Sequence, residues 1–344
     1  MKRLLNTLYV TTQDSSLFLQ NEAVAVKTGA EEKVRVPAGI LQSLCCFGNV
    51  SVSTPLIAFC AERGISLAFF SEYGKFYGRI EGPVHGNVLL RLAQYRMLDD
   101  EERKTELVRT ILLGKLVNAR ECVQRWKREA AENTDRFAPA LEKLAAFARL
   151  LRDCGNIDSM RGIEGRAAAV YFEMFALALR PPAGAERRLP AFDGRNRQPP
   201  EDPVNALLSF LYTLLKNDVQ SALEGVGLDP AAGYLHTVRP GRPSLALDIM
   251  EEFRAPLCDR LALSLVNRGQ IAVRDFESLT VPVLLGDRGR KKVLAAWQKR
   301  KAETIEHPFL RETVPIGLLP HAQAMLLARV LRGELDQYPP FHWR

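Results

Sequence analysis

The hydrophobic pattern changes period once, near residue 86, and that change restricts the chain to an α+β arrangement. Before it, short segments at residues 7–12, 17–20, 23–27, 34–36, 41–47, 65–70 and 75–80 alternate with polar turn residues at hairpin spacing, interrupted by one helical stretch at 55–63. After it, residues 87–98, 102–127, 136–151, 163–180, 203–224, 245–267, 288–306 and 319–331 place apolar side chains every three or four positions among strong helix formers. The expectation is a β-rich N-terminal domain over residues 1–82, a linker at 83–86, and a larger all-α domain over 87–344. A Pro/Gly/Arg-rich stretch at 181–200 reads as a surface loop.

Charge narrows the partners only a little. The 47 Lys and Arg residues against 40 Asp and Glu give a net charge of +7, which favours polyanions such as nucleic acid but is shared by many enzymes. No run reaches the roughly 18 apolar residues of a membrane helix, and the N-terminus lacks the apolar core and cleavage site of a signal peptide. Cys45, Cys46, Cys60, Cys122, Cys154 and Cys258 form no Cys-x-x-Cys pair and sit mostly among apolar residues, so reduced thiols and a cytoplasmic location are expected. Trp126, Trp297 and Trp343 are expected in cores or interfaces rather than stacked on bases.

Arg161-Gly162-Ile163-Glu164-Gly165-Arg166 reads as the opening of a long helix. At 100° per residue Glu164 joins Ala168, Tyr171 and Phe175 on the apolar stripe, while Arg166, Glu173 and Arg180 lie opposite. A carboxylate there needs a cation, and a metal ion or one of the many arginines would serve. The first turn of a helix would give it some relief through the helix dipole.

The second cluster begins at Gly233-Tyr234-Leu235-His236, in a turn followed by the rigid run Arg239-Pro240-Gly241-Arg242-Pro243. Ser244 is a reasonable N-cap for the helix beyond it. On that helix Asp248 stands three and four residues before Glu251 and Glu252, so the three acids share a face. Acidic helix faces are usually solvated, but a divalent cation would also resolve the repulsion. One imidazole and two carboxylates make a hard, open site suited to Mn²⁺ or Mg²⁺, with Arg239, Arg242 and Arg254 beside it as phosphate clamps. Lys291 and Lys292, in the basic run 288–300, and Arg195 and Arg197 are further candidates for backbone phosphate; a solvated helix face explains the run equally well.

These segments resemble the CRISPR-associated integrase family, the catalytic subunit of the spacer-acquisition complex. The resemblance is carried by Arg161–Gly165, Gly233–His236 and Ser244–Arg254, and also by Asp202–Tyr212, Val266–Phe276 and the tail Tyr338–Arg344, the last being similar to the subtype I-C branch. It is dense from Gly162 onward and rests on pattern over the first 80 or so residues. It implies catalysis and metal binding by Glu164, His236 and a third acid, Glu251 or alternatively Asp248. It further implies homodimerisation through the β-rich domain, double-stranded DNA as both fragment and repeat, and a small ferredoxin-like Cas-two subunit bridging two dimers in a heterohexamer. A Cas-four-type nuclease is a further implied partner. The expected chemistry is attack of a DNA 3′-hydroxyl on a repeat phosphodiester, with hydrolysis when water attacks instead. A non-catalytic DNA scaffold and a general metal-dependent phosphodiesterase are the competing readings.

Overall fold

The structure, a computed structural model, describes residues 7–29, 31–41, 43–72, 76–80, 82, 88–130, 134–180, 189, 192–196 and 199–343. The expected linker at 83–86, Arg197 and most of the 181–200 loop lie outside these residues.

The N-terminal region contains β1 (Thr7–Val10), β2 (Ser15–Gln20), β3 (Ala23–Thr28), β4 (Glu31–Pro37), β5 (Ser43–Phe47), β6 (Val50–Val52), helix α1 (Thr54–Arg63), β7 (Ser66–Phe70) and β8 (Phe76–Ile80). They form two four-stranded sheets, ordered β4-β3-β2-β6 and β1-β5-β7-β8. In the second sheet β5 and β7 run parallel, with Leu44 opposite Leu67 and Phe47 opposite Phe70. Alternation along these strands divides them between two cores. Leu44, Cys46 and Leu67 pack with Leu17, Val24 and Leu56 inside the β region, whereas Cys45, Phe47, Ala68 and Phe70 join the core of the helical region. A sheet buried on both faces needs near-continuous apolar strands, which Ser43–Phe47 and Ser66–Phe70 supply. Phe47 stacks on Phe70 with centroids 4.7 Å apart and meets Phe210 of the helical region at 6.2 Å. Arg79 pairs with Glu224 across the same boundary. The β region is therefore a wall of the helical domain and not a tethered appendage.

The helical domain comprises α2 (Val88–Asp99), α3 (Glu101–Glu129), α4 (Thr134–Arg152), α5 (Ile157–Ala178), α6 (Pro203–Val226), α7 (Ser244–Phe253), α8 (Arg260–Asn267), α9 (Asp287–Ala302) and α10 (Leu319–Leu331). Two short ribbons decorate it, β9 (Phe276–Ser278) with β10 (Leu284–Leu285) and β11 (Thr304–Glu306) with β12 (Thr313–Pro315). Three boundaries differ from the periodicity. The stretch expected as one helix over 245–267 is broken by a π-helical turn at Arg254–Asp259, where Pro256 has no N–H to give the preceding turn. The run 288–306 ends as helix at Ala302, its last residues forming β11. Helix α5 starts at Ile157, capped by Asn156, whose side chain accepts from Ser159 N at 3.0 Å. Glu164 is thus two turns inside the helix, beyond the useful range of its dipole. Ser244 is not an N-cap: it lies inside α7 after Pro243, and its hydroxyl donates to Thr237 O at 3.0 Å.

All six cysteines are free thiols. Trp126 and Trp297 are buried, and the guanidiniums of Arg260 and Arg300 each lie 5.0 Å from the Trp343 ring centre.

Candidate active site

Helices α3, α5 and α7 bring two acids onto one cation. Lys115 of α3 pairs with Glu164 of α5, and its Nζ lies 2.7 Å from Glu251 Oε2 of α7. The buried residues of α5 are Met160, Ile163, Ala167, Tyr171, Met174, Phe175 and Ala178, and Glu164 interrupts that face with a side chain 24% exposed. Its counter-charge is a lysine where an arginine had been the alternative to a metal. Gly162 and Gly165 open onto empty space beside it. The signal that exposes Lys115 was present in α3: it interrupts the stripe Val108, Ile111, Leu112, Ala119 and Cys122, as Glu164 interrupts that of α5.

Burial raises the pKa of Glu251, but Arg254, Lys115 and, when protonated, His236 outweigh it and hold the carboxyl down at about 2. Arg254 begins the π turn, its Nη2 3.2 Å from Glu251 Oε1 and its guanidinium 4.9 Å from the Tyr212 ring centre. The end of that turn carries Asp259, which accepts from Tyr212 Oη at 2.6 Å and Tyr171 Oη at 2.8 Å. Burial raises Asp259 to about 6, despite those two donors and the nearby arginines. Lys115, Glu164, Glu251, Arg254 and Asp259 line one small pocket. The π turn therefore does local work for the site, aiming Arg254 and Asp259 into the same space.

His236 is fixed from behind. Its Nδ1 lies 2.7 Å from Asp248 Oδ1, and the same carboxylate accepts the backbone N–H groups of Tyr234, Leu235 and His236 at 2.6, 3.0 and 2.9 Å. With Nδ1–H donated to a carboxylate, Nε2 keeps its lone pair, the arrangement found behind metal-binding and proton-transferring imidazoles. Gly233 is required by the close approach of α7, because a Cβ there would lie 2.5 Å from the Ser244 carbonyl carbon. Gln94 of α2 holds the loop from the other side through Asp229 O and Ala232 O, at 2.8 and 3.3 Å. Arg161, one turn before Glu164, donates to Leu235 O at 3.2 Å and so ties α5 to the residue preceding His236. The imidazole faces a cleft of about 1030 Å³ also lined by Arg103, Arg109 and Arg161.

The three acids of α7 are buried, not solvated, and they have separate partners. Asp248 is filled by the His236 loop, which leaves it a bracing role in place of the alternative ligand role. Glu252 turns to the C-terminal tail: its Oε2 accepts from Phe341 N at 2.7 Å and Gln323 Nε2 at 3.0 Å. Burial pushes Glu252 up to about 8, against the pull of those donors.

Several basic candidates are committed internally. Lys292 Nζ bonds both oxygens of Asp275 at 2.8 Å and Gln270 O at 2.9 Å, so it ties α9 down and is not a free phosphate contact. Lys291 is exposed but paired with Asp287 at 2.7 Å. Arg195 bonds Asn205 Oδ1 at 2.7 Å and Ser209 Oγ at 3.1 Å, its guanidinium 5.3 Å from the Tyr212 ring centre. Arg254, its side chain 16% exposed, is engaged by Glu251 and the Tyr212 ring. Arg239 is exposed and Arg242 half-buried on the loop after His236. Arg197 lies outside the described residues.

For a divalent cation the donor set fits in part. Two carboxylates from different helices converge on one positive charge, and the ammonium stands where a metal ion would be shared. Among the described residues, however, no three His, Cys, Asp or Glu side chains stand together within one coordination shell, and His236 is a neighbour of the acid pair rather than a member.

Two acids on one cation beside a carboxylate-braced imidazole make a site able to hold charge and hand over protons. The chain belongs to the CRISPR-associated Cas1 family: the model described as "CRISPR associated protein Cas1" matches residues 8–299. The CRISPR-associated endonuclease Cas1 1 of Chlorobaculum tepidum is 49% identical over 347 residues, spanning 100% of both chains. A CAS1 protein structure from Thermotoga maritima aligns over 95% of this chain and 97% of its own, with TM-score 0.79 and 24% identity. A casposase bound to integration product aligns over 98% and 94%, with TM-score 0.81 and 19% identity. At those identities the two structures speak for the fold. Among the described residues no helix is long and apolar enough to cross a membrane.

Proposed function

We propose that the chain is a metal-dependent DNA endonuclease and integrase that inserts captured fragments into a CRISPR array in the cytoplasm. The observation that carries this reading is the meeting of Glu164 and Glu251 on one cation beside His236. Glu164 and Glu251 would hold Mn²⁺ or Mg²⁺, with His236 Nε2 as the third donor. The bound ion would supply Lewis acidity toward a scissile phosphate. Asp248 keeps the His236 tautomer and orientation fixed, so the imidazole presents one nitrogen only. Arg254 stays on Glu251 and keeps that carboxyl ionised. Arg239 and Arg242 are placed to meet backbone phosphate next to His236.

The nucleophile is a DNA 3′-hydroxyl during integration and water during cleavage, and one site serves both. Homodimerisation through the β-rich region, a bridging Cas-two subunit in a heterohexamer and help from a Cas-four-type nuclease complete the proposal. Family membership supports DNA and a Cas-two subunit as partners; the stoichiometry and the Cas-four-type nuclease are part of the proposal. The casposase, solved with its integration product, supports strand transfer as the shared chemistry.

The test is half-site integration of a labelled duplex into a repeat-bearing plasmid, with Mn²⁺ and the partner subunit. Glu164→Ala should abolish strand transfer while DNA binding persists; undiminished transfer would remove the catalytic assignment.

A further inference from the structure

We infer that Lys115 is a displaceable counterion: its ammonium occupies the place between Glu164 and Glu251 in the metal-free protein and must leave for a divalent cation to enter. This rests on the reading of the two glutamates as the metal-holding pair. Without a cation, two carboxylates converging from α5 and α7 would repel, the more so because Glu251 is 3% exposed. Two positive groups reach Glu251, and they differ in freedom. Arg254 is planar, 16% exposed, and held between the Tyr212 ring and Glu251 Oε1. Lys115 is a compact charge on a flexible four-carbon stem, 17% exposed at the pocket wall. Its link to Glu251 Oε2 is also of the removable kind. The atoms are 2.7 Å apart, and a doubly charged ion could replace the single charge of the ammonium there. A metal ion would take up that oxygen and exclude the ammonium by repulsion. Arg254 would remain.

Metal affinity in the wild-type protein is then lowered by the ion pair that must be broken. The full-length, metal-stripped protein is titrated with Mn²⁺ by calorimetry, without DNA, alongside Lys115→Met, Lys115→Gln, Lys115→Arg and Glu164→Ala. Neutral Met and Gln should bind Mn²⁺ about tenfold or more tightly than wild type, because removing one charge at contact distance is worth at least that factor. Arg, which keeps the charge, should not tighten binding. In thermal melts the neutral variants should fall below wild type in chelator and gain more from Mn²⁺. Gln keeps hydrogen-bonding capacity should Met fold poorly. Equal or weaker Mn²⁺ binding by both neutral variants, with Glu164→Ala still abolishing it, would overturn the Lys115 assignment and leave the metal site standing. Mn²⁺ binding unaffected by Glu164→Ala would overturn both.

Discussion

The two sides of α7 present neighbouring glutamates to opposite fates. Glu251 faces α3 and α5, and Arg254 of the π turn and Lys115 of α3 hold it at about 2. Glu252 faces α10 and the C-terminal tail, where it meets amide and hydroxyl donors and no cation, and it is pushed up to about 8. Their exposures, 3% and 0%, are nearly the same. Burial therefore does not decide the charge of an acid here; the sign of its nearest partners does. The front of the helix is an electrostatic site, and the back is a hydrogen-bonded joint fastening the tail.

The strongest way to break this contrast is to neutralise each acid in turn. Glu251→Gln leaves Arg254 without its counter-charge, which costs about 3–5 kcal/mol. It should also lower strand transfer by about 10²–10³-fold, the scale of losing an electrostatic element of a reaction site. Glu252→Gln replaces a carboxyl that is mostly neutral at pH 7, so it should cost under about 1 kcal/mol and keep activity. Denaturant melts in chelator and half-site integration assays decide it, and equal losses from the two variants would erase the distinction.

Asp259 offers a third buried acid to sharpen the rule. It meets two tyrosine hydroxyls with arginines further off, and burial leaves it between the glutamates at about 6. Its folded value exceeds its ordinary 3.8, so the folded state holds the proton longer than the unfolded one. The stability this contributes is complete below pH 3.8 and is lost as pH rises through 6, amounting to about 3 kcal/mol. Asp259→Asn cannot titrate. The unfolding free energy of wild type minus that of the variant should therefore fall by most of this amount between pH 4 and 7. A flat difference would mean that the tyrosines neutralise Asp259 as effectively as the cations serve Glu251.

Much of this layout was legible in the chain. Alternation located most strands of the β region, although β6, with only Val50-Ser51-Val52, is too short for a period to register. Glu164 stood out because a charge sat beside an apolar stripe, and His236 because rigid residues followed it. Lys115 and Asn118 interrupt the stripe of α3 in the same way, but α3 is rich in charge and its two ends mask them. The fates of Asp248, Glu251 and Glu252 could not be read from spacing, since i,i+3 and i,i+4 geometry sets direction roughly while partners arrive from Tyr234, Lys115 and Phe341. The break at Pro256 was visible as a proline, yet apolar periodicity on both sides hid the π turn.

The brace behind His236 yields a smaller effect than the loss of Glu251. Asp248→Asn keeps the shape but can turn its amide toward Nδ1, favouring the wrong tautomer and leaving the His236 N–H without an acceptor. Integration should fall about 10–100-fold while DNA affinity holds. A loss as deep as that of Glu251→Gln would instead place Asp248 among the groups acting directly on the phosphate.

The same partner rule, applied to bases, gives the mildest prediction. Lys292 is fully occupied by Asp275 and Gln270, whereas Arg239 stands exposed on the loop beyond His236. If engagement rather than position in a basic run decides which cation meets DNA, Arg239→Ala should weaken binding at all sequences. It should also lower the slope of log affinity against log salt by about 1. Lys292→Ala should leave that slope unchanged and lower the melting temperature slightly, because it frees Asp275 inside the protein instead of a phosphate outside it. Equal slopes for the two variants would show that the basic face of α9 releases its lysines on meeting DNA, and that internal ion pairs there are no guide to the interface.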